Sequence, residues 1–416
     1  MPEQEFRSLP FKRKGFFIFI ESPDMKKIVF TEEFCQPENL YPFTLNRQIQ
    51  DIRVGILTIR EKWERYLQMP SFDRHEGDYK DLEKAICIES EIGKDIFYLV
   101  HGNILPTAKL IRQVKKLRAG DCISVQGKES IVYCISKEEV LDSNKIKIKK
   151  AVEFKDEIKE IKFPWDIFQL NKWAIDEDFE LITKGRKSQK ISGTNKVSNK
   201  SGIFIEKAAV VEHCYLNASE GPIYIGKDAM IMEGSMLRGP VAIGEGTVVK
   251  MGTRIFGATS TGPNCLLGGE IKNSVIFGNS NKGHDGYLGD SVIGEWCNIG
   301  AGTSNSNLKN NASSIMIWTQ HGPANVGIKC GMIMGDYSKT AINTAINTGT
   351  VTGICCNIFG NGLTPKYIPS FSWGSEGVER YDFEKALTDI ANWKQLKNQT
   401  VSESEKTILK HIFDHF

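Results

Sequence analysis

A period of six residues runs through the middle of this chain and restricts its fold more than any other feature. Counting in sixes from Ile225 gives Ile225, Ile231, Leu237, Ile243, Val249, Ile255, Thr261 and Leu267, seven of the eight aliphatic. Four residues beyond each anchor stand Ala229, Ser235, Val241, Thr247, Thr253, Thr259, Cys265 and Ile271, most of them small. Gly226, Gly244, Gly262 and Gly268 follow their anchors directly. The period returns at Ile293 and Ile299, and more loosely at Met334, Thr340, Ile346, Thr352 and Ile358. A helix repeats near 3.6 residues and a half-buried strand near 2, so neither explains six. A short strand followed by a tight corner does. Three such units close a triangular coil of eighteen residues, with the aliphatic side chain inward and Gly permitting the corner. Successive coils then stack at the spacing of neighbouring strands, about 4.8 Å.

The flanking segments follow other rules. Residues 25–182 alternate apolar runs ("KKIVF", "DIFYLVHG", "CISVQG") with amphipathic stretches ("GILTIREKWERYL", "LIRQVKKLR"). That alternation predicts an α/β domain with a mostly parallel sheet. "FPWDIFQLNKWAIDEDFELI" reads as its helical exit. The polar, basic, non-periodic stretch 183–202 reads as a linker. The β-helix is expected over 203–375, and an amphipathic helical tail of one or two helices over 376–416. Residues 1–24 place basic residues before an apolar run of only six, shorter than the core of a signal peptide, and are read as a dispensable extension.

Composition narrows the function classes. A formal net charge of +2 gives no general attraction to nucleic acid or membrane. No segment reaches the roughly 18 apolar residues needed to span a bilayer. The ten Cys include adjacent Cys355 and Cys356 but no C-x-x-C spacing, which argues against a zinc site or disulfide framework and for a cytoplasmic protein.

Two places in the repeat bear chemistry. Arg254 and Lys272 lie eighteen residues apart, each five places after an anchor, so a regular coil stacks them in one outward column suited to a phosphate. Read blandly, they are two solvated charges. Near His284, flanked by Lys282 and Tyr287, the count breaks, and breaks in repeats admit loops and pockets. A neutral imidazole there can accept a proton from an attacking amine, although an isolated His in a polar turn is ordinarily inert.

The run "GHDGYLGDSVIGEWCNIGAGTSNSN" resembles the acetyltransferase motif of the bifunctional N-acetylglucosamine-1-phosphate uridyltransferase/glucosamine-1-phosphate N-acetyltransferase family. "YPFTLNRQIQDIRVGILTIREKWERYL", "GPIYIGKDAMIMEGSMLRGP" and "IPSFSWG" are similar to a bacterial branch in which a sugar nucleotidyltransferase is fused to a β-helix. The resemblance implies a left-handed β-helix, acetyl-CoA as co-substrate, an amino-sugar phosphate as acceptor, and a homotrimer with sites between subunits. It implies a place in UDP-N-acetylglucosamine and cell-envelope precursor synthesis. Carried over by position, His284 is the catalytic base, with oxyanion donors near Asn307. Tyr287 and Asn298 contact the sugar phosphate, Ala301 and Asn307 the acetyl-CoA thioester, and Arg254 and Lys272 the phosphate. Leu308 and Lys309 stand where that family often carries an aromatic residue.

For the first half the same resemblance implies UTP as substrate and Mg²⁺ as metal. Two features depart from it. "KIVFTEEFCQPENLYPF" follows the first strand without a Gly, where the family has a Gly-rich triphosphate loop, and "LVHGNILPT" puts Asn103 at the position of the metal-binding Asp. Arg47, Arg53 and Arg60 remain candidate phosphate ligands. The rival readings are a degenerate N-terminal domain, a non-catalytic β-helix scaffold, an acyltransferase for another nucleotide sugar, and a γ-type carbonic anhydrase. The last would need three zinc-binding His, and His213, His284 and His321 lie at no coil-related spacing.

Overall fold

The computed structural model describes residues 26–74, 96–125, 130–377 and 379–415, and the N-terminal extension, 1–24, lies outside them. Within the first half, six strands form one sheet in the spatial order Ser71–Asp73, Lys27–Thr31, Ile96–His101, Ser130–Ser136, Asp121–Val125, Lys150–Phe154. Lys27–Thr31 runs parallel to both neighbours, whereas Ser130–Ser136 is antiparallel to both of its own. Five of the six strands thus run the same way and Ser130–Ser136 alone runs against them, so the sheet is mostly parallel with one antiparallel strand. Asp121–Val125 and Ser130–Ser136 are close enough in sequence to pair as a hairpin, which needs no crossover helix. The helix Ile59–Leu67 starts on a capping box in which Thr58 and Glu61 exchange hydrogen bonds, as its sequence favours.

From the middle of the chain onward, three parallel ladders wind into a three-faced β-helix. The first face has nine strands from Ile203–Ile205 to Tyr367–Ile368. The second starts at Val210–Val211, and the third joins Lys196–Ser198, Tyr215–Asn217, Met236–Arg238, Arg254–Phe256, Glu270–Lys272 and Tyr287–Gly289. Lys196–Ser198 lies inside the stretch read as linker yet already pairs with Tyr215–Asn217. Val197 takes the inward register, paired with Leu216, but with no coil before it stays 37% exposed, and one aliphatic residue amid polar neighbours does not stand out in the sequence. The anchors Ile225, Ile231, Leu237, Ile243, Val249, Ile255 and Leu267 are all at most 1% exposed, as are Met334, Ile346, Thr352 and Ile358 farther along.

The eighteen-residue coil does not persist. Val241 pairs with Thr259, a full eighteen on, but Arg254 pairs with Glu270 and Leu266 with Asn281. The inward sequence thus steps from Leu267 to Ile271 and Ile276 in four and five residues. Gly269, at φ +75°, turns this corner in fewer residues than a side-chain-bearing residue tolerates. The register shift begins here, one coil before His284.

The two halves share a core. Phe43 packs on Phe277, Tyr41 edge-on to Trp318, and Arg47 pairs with buried Asp336. Asn171, at the start of the helix Asn171–Thr183, donates to the Ala258 carbonyl and accepts from Ser260. These contacts cover the nine-stranded face. The terminal helices Phe383–Gln395 and Glu403–His415 pack beside the second face, where Lys397 donates to the carbonyls of Asn264 and Asn279. The edge between the second and third faces keeps exposed residues, and His284 is among them.

Candidate functional site

His284 sits in the corner that carries the chain from Asn281–Lys282 on the second face to Tyr287–Gly289 on the third. Close stacking fixes this corner. A Cβ on Gly286, at φ +116°, would fall 2.1 Å from the Thr303 carbonyl, and one on Gly269 2.7 Å from that of His284. Gly302 N–H donates to the Asp285 carbonyl at 3.0 Å, which sets residues 301–302 directly over 284–285. Ala301 therefore stands one coil above His284 at the same edge. No hydrogen bond engages the Ala301 N–H among the described residues.

On the third face, Tyr287 and Asn307 meet. Asn307 Nδ2 donates to Tyr287 Oη at 3.1 Å and to Asp290 Oδ2 at 2.5 Å. Asp290, 3% exposed, also accepts from Asn273 Nδ2 at 2.6 Å. Sequence reasoning missed Asp290 and Asn273. The only signal was that Asp290 closes the "YLGD" of the motif at a corner, where its φ is +47°. Burial, with Asp290 and Glu270 nearby, pushes the Tyr287 phenol up to about 12, so it stays protonated and able to donate.

Both side-chain N–H bonds of Asn307 are thus committed within the protein, and the amide presents its carbonyl oxygen instead. That differs from an oxyanion donor in the Asn307 side chain. Among the described residues the backbone N–H groups of Ala301 and Asn307 both stay without a hydrogen-bond acceptor.

Asn298 lies on the second face. It bridges Asn281 below and Lys339 above, and its Oδ1 is 3.4 Å from Asn281 Nδ2. Asn298 thus flanks the His284 edge on one side, Tyr287 and Asn307 on the other.

Arg254 and Lys272 are not stacked in one column, contrary to the even count. Arg254 pairs with Glu270 and Lys272 with Phe256, because the intervening coil is two residues short. Glu270 in turn pairs with Tyr287 and Lys272 with Gly289. Lys272 thus lies one coil below Tyr287, while Arg254 lies two coils below, about 10 Å at strand spacing. Arg254 also faces Glu270 at 3.5 Å. Of the two cations, Lys272 is the one near Tyr287.

At the strand ends of the first half, the segment after Lys27–Thr31 closes over its own sheet. Phe34 stacks on His101 at 4.9 Å, and Cys35 Sγ donates to Asn103 Oδ1 at 3.4 Å. The other end of the Asn103 amide donates to the Ile161 carbonyl at 3.3 Å. Asp73 is held by Arg60 and Gln50, and Arg60 also by Asp51. Arg47 is taken by Asp336, and Arg53 donates to the Ile56 carbonyl. Among the described residues this arrangement does not fit Mg²⁺, which prefers carboxylate and water oxygens over an amide already bonded at both ends. No group of three His, Cys, Asp or Glu among the described residues can hold a metal.

The comparisons agree with the motif reading. Residues 28–187 match a family model described as sugar nucleotidyl transferase. "Bifunctional protein GlmU" of Methanocaldococcus jannaschii is 35% identical over 101 residues, 24% of this chain and 25% of that protein. A "Bifunctional sugar-1-phosphate nucleotidylyltransferase/acetyltransferase" of Sulfurisphaera tokodaii is 30% identical over 213 residues, 50% of this chain and 47% of that protein. The chain thus spans between a quarter and about half of the length of these relatives. A solved UDP-N-acetylglucosamine acyltransferase aligns at 12% identity over 55% of this chain and 89% of its own, with a TM-score of 0.19. The fold therefore rests on the strand pairing itself. No helix among the described residues is long and apolar enough to cross a membrane. Over part of its length the chain is thus similar to bifunctional sugar-1-phosphate nucleotidylyltransferase/acetyltransferase proteins, with a sugar nucleotidyl transferase match over residues 28–187.

Proposed function

We propose that the β-helix half transfers an acetyl group from acetyl-CoA to the amine of glucosamine-1-phosphate or a related amino-sugar phosphate, with His284 as base. One observation carries this reading: the ungapped motif folds so that His284, Ala301, Tyr287, Asn307 and Asn298 gather along a single edge of two adjoining coils.

The amine must be neutral to attack the thioester carbonyl. Its lone pair forms the new C–N bond while the His284 imidazole accepts the amine proton. The carbonyl oxygen becomes an oxyanion, for which the unbonded Ala301 and Asn307 N–H groups are available backbone donors. Collapse expels the CoA thiolate, which is protonated, leaving the amide. The Asn307 carbonyl oxygen suits an N–H of the incoming amine. The Tyr287 hydroxyl, accepting from Asn307, keeps its own proton for a phosphate oxygen, with Lys272 supplying positive charge from the coil below. Positioning of this kind contributes several kcal/mol, about 7–11 at its best.

The reading includes a homotrimer with the site between subunits. Supporting it, large apolar side chains are exposed beside this edge in the coils beneath, interspersed with Arg254 and Glu270: Tyr215 is 52% exposed, Met236 49% and Met251 70%. Isolated exposed side chains are ordinary, but three large ones near one edge suit a covered interface. Sedimentation should give three chains per particle, and a monomer would remove the shared pocket.

The first half is proposed as a sugar-nucleotidyltransferase relative whose strand ends are closed by its own 32–45 segment. The assays are free-thiol release from acetyl-CoA with glucosamine-1-phosphate, and pyrophosphate release from UTP with N-acetylglucosamine-1-phosphate and Mg²⁺. Thiol release dependent on the sugar phosphate supports the acetyltransferase, and none at any amino-sugar phosphate refutes it. Pyrophosphate release would contradict the closed strand ends.

A further inference from the structure

The interior of the β-helix holds one lysine in a place built for an aliphatic side chain. Val211, Ile231, Val249 and Leu267 stack inward in successive coils of the second face, and Lys282 pairs with Leu267 as the next member. Lys282 is 1% exposed. No carboxylate forms an ion pair with it among the described residues; its ammonium bonds backbone carbonyls instead. Nζ donates to the His284 oxygen at 2.5 Å, the Gly268 oxygen at 3.3 Å and the Asp285 oxygen at 3.4 Å. Among the described residues no backbone N–H reaches the Gly268 or His284 carbonyl. The shortened coil puts these carbonyls out of step with their neighbours, and the lysine satisfies them from inside.

An ammonium in an apolar column is costly, since burial disfavours the charged form. Burial pulls Lys282 down to about 8, against the opposing pull of Asp285. A Leu would fill the column without that cost, so packing alone does not account for the lysine. Its contacts all converge on the corner that presents His284.

We propose that Lys282 is a positioning residue for His284, holding the His284–Asp285 backbone from inside the β-helix so that the imidazole faces the acceptor amine. This rests on His284 as the base of acetyl transfer.

The test is Lys282→Leu in the full chain, with Val249→Ala as a control that opens the same column two coils away. Lys282→Leu supplies the residue type the column carries at Leu267 while leaving the Gly268 and His284 carbonyls without that donor, so its folding is checked by its melting temperature. Expected is a fall in kcat for CoA release of about 100-fold, the scale of a misplacement near 1 Å, with KM for the sugar phosphate within about twofold. The His284 Hε1 resonance, assigned by its loss in His284→Ala, should move or split in Lys282→Leu and stay in place in Val249→Ala. Wild-type kcat and an unmoved resonance in Lys282→Leu would overturn the proposal. Should the wild-type chain release no CoA, the acetyltransferase reading falls, and the resonance alone decides whether Lys282 positions His284. Should Lys282→Leu not fold, Lys282→Met keeps the stem of the side chain and is read the same way.

Discussion

His101 gives a stability prediction that can be worked from the structure. It ends the strand Ile96–His101, is 5% exposed, and stacks against Phe34 from the segment that closes the strand ends. Its Nε2 is buried without a partner. Burial holds its imidazole down to about 4, opposed only by Glu160. In the unfolded chain the same group titrates near 6.5. Because the folded value is depressed, the unfolded state binds the extra proton first as pH falls, and stability declines between about 6.5 and 4. From pH 7 to pH 5 the loss is about 2 kcal/mol, and below pH 4 it stops growing. Urea unfolding of wild type and His101→Phe at both pH values isolates the effect, because every other titrating group is common to the two proteins. The wild type should lose about 2 kcal/mol more than the variant on going to pH 5. Equal pH dependence would mean that His101 is accessible when folded, and that the 32–45 segment does not seal the strand ends.

Three further outcomes are expected. Lys62 and Asp178 form an ion pair with each side chain 2% exposed, so Lys62→Met should cost about 3–5 kcal/mol in urea unfolding by stranding the carboxylate. Tyr287→Phe removes the hydroxyl assigned to the phosphate and should raise KM for the sugar phosphate about 10-fold, the worth of one charge-assisted hydrogen bond, while leaving KM for acetyl-CoA unchanged. Gly286→Ala, with its Cβ 2.1 Å from the Thr303 carbonyl at φ +116°, should cost about 2 kcal/mol or more by thermal unfolding and lower acetyl transfer in the fraction that folds.

The β-helix was legible because its anchors are apolar and evenly spaced, and the burial of Ile225 through Ile255 follows that count. Counting failed where geometry departs from an even period. The four-residue step from Leu267 to Ile271 looks like any other spacing in text, and it separates Arg254 from Lys272. Lys282 and Asn305 point inward but read as surface residues, since polarity is the usual marker of an outward position. Both are buried, and Asn305 exchanges hydrogen bonds with the Gly289 backbone. Lys196–Ser198 fails in the opposite sense: as the first strand of its ladder it has no coil before it to bury it.

For the proposed site, the motif spacing singled out His284, Tyr287, Asn298, Ala301 and Asn307, and the fold sets His284 and Ala301 at a corner between Asn298 on the second face and Tyr287 with Asn307 on the third. Asp290 escaped because its part is to hold Asn307 and Asn273 rather than to face outward. In the first half, the absence of Gly after Lys27–Thr31 and the amide at Asn103 were both visible. What they build was not: Phe34 and Cys35 fold onto His101 and Asn103, and Tyr41, Phe43 and Arg47 dock on the β-helix. Those are contacts between residues far apart in sequence, which no local pattern encodes.

The most direct test of the acetyl-transfer assignment is CoA release from acetyl-CoA with glucosamine-1-phosphate, measured for the wild-type chain and for His284→Ala. Removal of a general base is expected to lower kcat by about 100-fold or more, with little change in KM for either substrate. An unchanged rate in His284→Ala would contradict His284 as the base.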